Sequence, residues 1–346
     1  MGLLAFYLRK LYTIVRNEIL VLPSRVVVAL FFLFLLLLPV FYKDPYVFRV
    51  LIQASIFAIF AASWDLLSGF TGQMNFGHAL FFGVGAYTAA LLNLHFQVPP
   101  WGSVPLGALA AVVAGLVIGI PCLRLKGTYL ALTTLAFPII LTGIVFTIPG
   151  ITGGELGISG ISRLSGSRMN DYYITVVLML GLTTLMWKIT DSKTGIIFHA
   201  IREDELAVRA SGINTTRYKL LAFSLSGFFA GLSGGLYAHF MRIAGPSTLE
   251  IGLSFTVVIW AVFGGIVTIY GPVAAVFILF PLLEFLHFWP EYRTLMFAAV
   301  ILLILLYMPE GLIPWVRDKI EKQCPRCKLR NVAVRKTCRV CTASLD

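Results

Sequence analysis

Residues 46–67 read YVFRVLIQASIFAIFAASWDLL, and residues 68–87 continue SGFTGQMNFGHALFFGVGAY. The first stretch is long and apolar enough to cross a bilayer as a helix, which takes about 20 such residues. The second breaks the apolar run with polar residues and glycines, and the run then resumes. Long apolar runs joined by short irregular segments decide the fold class: helices that span a membrane.

The same pattern recurs on both sides of this stretch. Apolar runs of spanning character fall at 26–42, 46–67, 76–97, 104–122, 129–149, 172–188, 218–241, 251–269, 272–288 and 294–309. The expected fold is an all-α polytopic membrane protein with about ten transmembrane helices, and eight at the fewest. The pair at 251–288 is interrupted by Tyr270, Gly271 and Pro272. Composition agrees. Of 346 residues, 58% are hydrophobic and 12% are charged, against about 25% charged in soluble domains. That leaves too little polar surface to coat a water-soluble globule.

The net charge of +11 lies between the apolar runs and at both ends. There it sets orientation, and the expected surroundings are a lipid bilayer and no nucleic acid. With the N-terminus inside and ten alternating spans, 21 of the 27 Lys and Arg fall on the inner side. This predicts cytoplasmic N- and C-termini. Eight spans give the same orientation. Segment 1–25 carries Arg9, Lys10, Arg16 and Arg25, and no small-residue cleavage pattern follows it. It reads as a cytoplasmic segment before an uncleaved first span. The chain therefore divides into 1–25, a membrane region 26–316 and a tail 317–346.

Three segments carry candidate function. The first is Ser68–Tyr87, where Gly69, Gly72 and Gly77 permit non-helical backbone. Such backbone at membrane depth is tolerated only inside protein or along a water-filled cavity. Gly72, Gln73, Asn75 and His78 are thus candidates to line a translocation pathway. A plain polar loop fits the composition equally well. Elsewhere, Gly227, Gly231 and Gly235 recur at a spacing of four, as do Gly107, Ala111, Gly115 and Gly119. Each set lies on one helix face, suited to close packing inside the subunit or, less favoured, to a seam between subunits.

The second segment is residues 193–219, KTGIIFHAIREDELAVRASGINTTRYK, the longest loop expected in the cytoplasm. Leu206, Ala210 and Ile213 recur at helical spacing with Ala207 beside them, and a helix is expected from Arg202 to Ser211. Gly212 ends it in a left-handed conformation, and Asn214, Thr215 or Thr216 caps the next. A helix this short is marginal alone and gains from docking on a partner. By composition alone, a solvated connector is the simpler account.

The third is the tail, where Cys324 and Cys327 are followed after ten residues by Cys338 and Cys341. Two Cys-x-x-Cys knuckles at this spacing predict a small four-cysteine zinc-ribbon-like element, because zinc favours four thiolates in a tetrahedron. The tail is too short to bury a useful core, so metal would supply its folding energy. Unmetallated thiols or disulfides are the alternative. The basic residues around it read as solvated charge beside a membrane.

The stretches TGQMNFGHALFFGVGAYTAALL, AIREDELAVRASGINTTRYKLLAFSLSGFFAGLSGGLYA, VFGGIVTIYGPVAAVF and LLYMPEGLIP occur in this order. Together they resemble the LivM-type permeases of high-affinity branched-chain amino acid ABC importers, over roughly residues 50–316. The resemblance implies a transport subunit of a prokaryotic cytoplasmic (inner) membrane that moves leucine, isoleucine and valine. Family members for urea and other small solutes also exist. It implies a second homologous permease, two ATPase subunits and an extracytoplasmic solute-binding protein as partners. It further implies that Arg202, Glu205, Leu206, Ala207, Ala210 and Gly212 form the coupling element seated on an ATPase. Four residues separate Ala207 from Gly212, one more than in the usual importer motif. The tail lies beyond the resemblance and reads as an addition.

Absences point the same way. No G-x-x-x-x-G-K-[ST] occurs, so no nucleotide is expected on this chain. No acid, base and nucleophile cluster, so no enzyme is expected. Arg49, Asp65 and Glu284 are the main charges within spans. A transporter or channel working without ATPases, the runner-up, usually carries more ionisable residues mid-membrane. The energy source is expected on another subunit.

Overall fold

The structure, a computed structural model, describes residues 23–41, 44–122, 125, 127–286, 295, 298–299, 301–302, 306–308, 311–327, 330–332, 337–338, 340–341 and 344. The chain forms two compact units, Asp44–Pro309 and Met1–Lys43 with Glu310–Asp346.

In the larger unit the helices are α2 (Pro45–Trp64), α3 (Ala79–Phe96), α4 (Pro100–Cys122), α5 (Thr128–Thr147), the single turn α6 (Pro149–Thr152) and α7 (Arg168–Thr190). They continue as α8 (Lys193–Glu203), α9 (Glu205–Ala210), α10 (Thr215–Met241), α11 (Ile251–Gly264) and α12 (Tyr270–Phe285). Among the described residues six helices are long and apolar enough to cross a membrane: α2 with its π-helical extension Asp65–Gly69, α3, α4, α5, α7 and α10. They match six of the ten expected spans. The runs at 251–269 and 272–288 fold as shorter helices. α11 stops at Gly264 because Gly265 and Val267 take positive φ values of 104° and 70°. At 1.5 Å per residue, α11 and α12 are about 21 and 24 Å long, short of a bilayer core of about 30 Å. The run at 26–42 forms the helix α1 (Pro23–Phe41), and 294–309 lies largely outside the described residues.

The centre of the larger unit is α2. Asp44 caps its start, accepting from Tyr46 N at 2.8 Å, and Pro45 fills the first turn. Of the most apolar window of this span, 94% is buried, against 28% for α5, which places α2 inside and α5 at the rim. Helices α7, α10, α11 and α12 pack around α2. Phe57 on α2 meets Phe82, Tyr237, Trp260 and Phe280 at centroid distances of 5.3–6.0 Å. At the rim, Leu132, Ile139 and Ile140 of α5 stay exposed, as lipid-facing side chains do.

Helices α3, α4 and α10 form a close-packed trio. A Cβ on Gly85 would overlap the backbone of Gly231, and one on Gly231 would overlap Ala111 Cβ and the Ala108 backbone. Gly227 lies against Phe81, and Gly235 against Val104 and Ala89. Both small-residue stripes therefore face neighbours within this chain.

One end of the unit is tied by polar side chains. Strands β1 (Ile158–Ser159) and β2 (Ile243–Ala244) pair antiparallel, Ile158 opposite Ala244. His239 is fully buried, with Nδ1 2.9 Å from Ser162 O and Nε2 2.7 Å from Ser103 Oγ. A carbonyl only accepts, so Nδ1 carries the proton and Nε2 accepts from Ser103. Asn93 Oδ1 accepts from Ser162 N at 2.9 Å. The 242–250 and 157–166 connections and the first turn of α4 thus meet at the same end, as strict alternation of the spans requires.

In the smaller unit α13 (Leu312–Ile320) leads into a hairpin of β3 (Glu321–Gln323) and β4 (Arg330–Val332), with Lys322 opposite Asn331. Lys319 Nζ sits 3.6 Å over the Trp315 ring, a cation–π contact.

The trio yields a prediction. Gly231→Leu forces a side chain into backbone, and overpacking of this kind costs about 1–3 kcal/mol or more. Gly181, on α7, has open space around it, so Gly181→Leu is the control. Thermal unfolding in detergent should show a clear fall in midpoint for the first and none for the second.

Candidate functional site

The segment between α2 and α3 is non-helical from Gly72 to Gly77 and is pinned by side chains from three helices. Trp64 Nε1 donates to Asn75 O at 2.7 Å, and Asn75 N donates to Ser68 Oγ at 3.2 Å. Phe76 N reaches Thr134 Oγ1 on α5 at 3.1 Å, and Ala79 N reaches Ser254 Oγ on α11 at 2.9 Å. Buried backbone N–H groups are thereby satisfied without helix or water, the condition for irregular backbone at membrane depth.

His78 is fully buried and stacked on Phe60 at 4.9 Å. Its Nε2 lies 2.9 Å from Ser63 Oγ, and Ser63 donates its hydrogen to Phe60 O at 2.7 Å. The ring therefore donates through Nε2 and accepts at Nδ1 from Asn75 Nδ2, 3.4 Å away. Asn75 Oδ1 accepts from Gly77 N at 2.9 Å. Asn75 and His78 are thus engaged in holding the segment. Gln73 differs: it is buried, and neither of its amide atoms has a hydrogen-bond partner among the described residues. A buried amide without partners is costly. Gly72 takes φ +70° and lies against Arg202.

The 193–219 loop folds as two helices and not one. The expected single helix from Arg202 to Ser211 is interrupted at Asp204, whose extended backbone (φ −151°, ψ 99°) ends α8. Its Oδ1 accepts from Leu206 N at 2.8 Å and Ala207 N at 3.1 Å, so it caps α9 instead of continuing α8. At the other end Gly212 has φ +81°. Gly212 N bonds Arg209 O at 3.0 Å and Ile213 N bonds Val208 O at 3.4 Å, the Schellman pattern. Asn214 is the cap of α10, accepting from Arg217 N at 3.2 Å.

Glu205 fixes α9 on α10. Its Oε2 accepts from Lys219 Nζ at 2.7 Å, and its Oε1 accepts from Arg209 Nη2 at 2.7 Å and Thr215 Oγ1 at 3.2 Å. The Lys219 and Glu205 side chains are only 10% and 16% exposed, so removing either partner would leave a largely buried charge unpaired. Val208 is buried, while Leu206 (67% exposed), Ala207 and Ala210 form an outward apolar face. Arg202, itself exposed, reaches back to the α2 end: Nη1 donates to Gly69 O at 2.9 Å. Of the six coupling candidates, three therefore face out, Gly212 sets the turn, and Glu205 and Arg202 bond within the chain.

In the tail, the four thiol sulfurs of Cys324, Cys327, Cys338 and Cys341 all lie within 4.8 Å of one another. Three of the separations are 3.4–3.5 Å. A zinc tetrathiolate with bonds of about 2.3 Å has sulfur–sulfur edges of roughly 3.8 Å, so the donor set fits. Backbone N–H groups aim at the thiols. That of Cys341, then that of Val340, brings Cys338 down to about 6, and that of Cys327 lowers Cys324. Thiolates are the form that binds metal.

Sequence reasoning missed one element. Asp65 is fully buried, and its carboxylate accepts from Val267 N at 2.8 Å and Thr268 N at 3.0 Å. The only local signal was an acidic residue within an apolar run.

Comparison with known proteins follows this geometry. The family model described as "Branched-chain amino acid transport system / permease component" matches residues 46–305. The high-affinity branched-chain amino acid transport system permease protein LivM of Salmonella typhimurium is 29% identical over 302 residues, 79% of this chain and 71% of that protein. LivM of Escherichia coli K12 is 29% identical over 309 residues, 81% of this chain and 71% of that protein. The LivH permease of the same Escherichia coli strain is 26% identical over 294 residues, 78% of this chain and 94% of that protein. No solved structure matches. With spanning helices, a pinned break inside the membrane region and a match across most of its length, the chain belongs to the branched-chain amino acid transport permease family.

Proposed function

We propose that this chain is a permease subunit of an ABC importer that moves branched-chain amino acids across a prokaryotic inner membrane. ATP is hydrolysed on partner subunits, and a solute-binding protein delivers the substrate from outside. The observation that carries this reading is α9, a capped six-residue helix pinned at Glu205 with Leu206, Ala207 and Ala210 facing outward. An exposed apolar face on a short helix has little reason to persist unless a partner covers it. A groove on an ATPase subunit is that partner. The relatives named LivM and LivH suggest a second, homologous permease beside this one. The charge distribution supports cytoplasmic termini, and either eight or ten spans gives that orientation.

Gly72–His78 lines the passage in this reading, and Gln73 offers its unpartnered amide to the solute. Binding there is weak, since selection belongs to the binding protein. The tail would hold one zinc ion on Cys324, Cys327, Cys338 and Cys341, which folds the hairpin end without an apolar core.

Three outcomes are expected. Leu206→Asp puts a charge on the docking face and should lower ATPase co-purification by about tenfold, equivalent to roughly 1.4 kcal/mol. Membrane insertion stays intact, and full ATPase recovery would remove α9 from the interface. Gln73→Leu should reduce ATP-driven leucine uptake in proteoliposomes while the complex still assembles; wild-type uptake would exclude Gln73 from the path. Native mass spectrometry should find one zinc per chain, absent from the Cys324→Ser, Cys338→Ser double variant. A reduced wild-type chain without metal counts against the site.

A further inference from the structure

The coupling loop, the irregular 72–78 segment and the junction between α11 and α12 meet at one set of bonds. Arg202 is the last basic residue before the Asp204 break, and its guanidinium donates to Gly69 O at 2.9 Å. Gly69 is the last residue of the π-helical turn that begins at Asp65. A Cβ on Gly69 would overlap the Asp65 carboxylate, so that carboxylate lies directly against it. Asp65 in turn holds Val267 N and Thr268 N. Val267 sits at φ +70°, unusual for a β-branched residue, in the short turn that separates α11 from α12. Thr268 Oγ1 closes that turn on Gly265 O at 2.6 Å.

We propose that Arg202 and Asp65 are positioning residues that join the coupling loop to the α11–α12 break through the Asp65–Gly69 turn. Resting on the importer reading, this names the route by which movement of α9 reaches the membrane-embedded helices. Each link has a physical reason to act as a stiff connector. The Arg202 bond ends on a backbone carbonyl, so displacing α8 displaces the turn itself. Gly69, having no side chain, leaves the space that the Asp65 carboxylate occupies against the turn. The carboxylate takes two successive N–H groups, so it orients the peptide plane of the 267–268 turn as well as its position. A π-helical turn within an α-helical span is rare and recurs at functional sites, and here it places Gly69 O toward Arg202. Gly72, in the irregular segment that follows the same turn, packs on Arg202, so the candidate pathway feels the same displacement.

The test uses the full complex of permeases, ATPases and binding protein in proteoliposomes. It reads ATPase co-purification and solute moved per ATP hydrolysed. Arg202→Met preserves length and removes the donor; Asp65→Asn preserves shape and removes one acceptor. Both should retain ATPase co-purification, because neither side chain lies on the outward face of α9, and both should lower solute moved per ATP by about tenfold. Arg202→Lys, which keeps the charge, should recover part of the loss. The double variant should be no worse than the worse single one, as expected for residues in one linkage. An unchanged ratio in inserted Arg202→Met overturns the proposal, and so does loss of ATPase binding in that variant, which would make Arg202 a docking residue. Should Asp65→Asn fail to insert, the Arg202 pair decides alone. If the wild-type complex itself shows no solute-stimulated hydrolysis, the importer reading fails and takes the linkage with it; coupling that is intact in wild type and variants alike sinks only the linkage.

Discussion

Backbone amides cannot be left unpaired where water is absent, and in this chain that constraint governs what happens next to α2. The helix is enclosed by its neighbours, and in the segment that follows it Gln73, Asn75, Gly77 and His78 are buried, so their backbone groups need partners within the protein. The segment's N–H groups are taken by Ser68, Thr134 and Ser254, and the 267–268 turn is taken by Asp65. Those bonds fix which helices stand next to one another at this end of the unit. α5 and α11 are each held to the segment by one hydroxyl. The breaks in the helices and the polar residues of the interior are therefore one device.

That device explains how a mostly apolar chain carries function. Apolar helices alone would pack into a plug. Two interruptions, 72–78 and 265–269, keep backbone and amide groups available inside the bundle. Both stay ordered because they are tied to rigid elements. The coupling loop follows similar logic on its own side: caps at Asp204 and Asn214 and the Gly212 turn fix a helix that is too short to persist by propensity.

Much of this was legible in the sequence, and the parts that were not have a common cause. Apolar runs of spanning length are a local signal, and α2, α3, α4, α5, α7 and α10 follow them closely. Gly212 as a left-handed turn and the clustering of four cysteines are local as well. The shortness of α11 was half visible, since Tyr270-Gly271-Pro272 marks a break but does not say that Gly265 ends the helix first. The cap at Asp204 also has a local signal, an aspartate directly before Glu205, Leu206 and Ala207, which the expected helix from Arg202 to Ser211 runs through. Glu205 was expected to face a partner, and its pairing with Lys219 depends on α9 folding back on α10. The Asp65 contacts with Val267 and Thr268 join residues about 200 positions apart, and no local pattern reports such a pair.

The trio of α3, α4 and α10 has a consequence for its surroundings. Glycine and alanine have almost no rotamers to lose when they are buried, so closing this interface costs little side-chain entropy. Its competitor in a membrane is an acyl chain lying along the same helix face. Between Gly85 and Gly231 there is no room for even one added carbon. A groove so shallow and narrow is poorly solvated by a flexible hydrocarbon tail, which would have to straighten and still leave voids. Exclusion of lipid, with no help from water, favours helix against helix. The cohesion of the trio should therefore depend little on which lipid surrounds it.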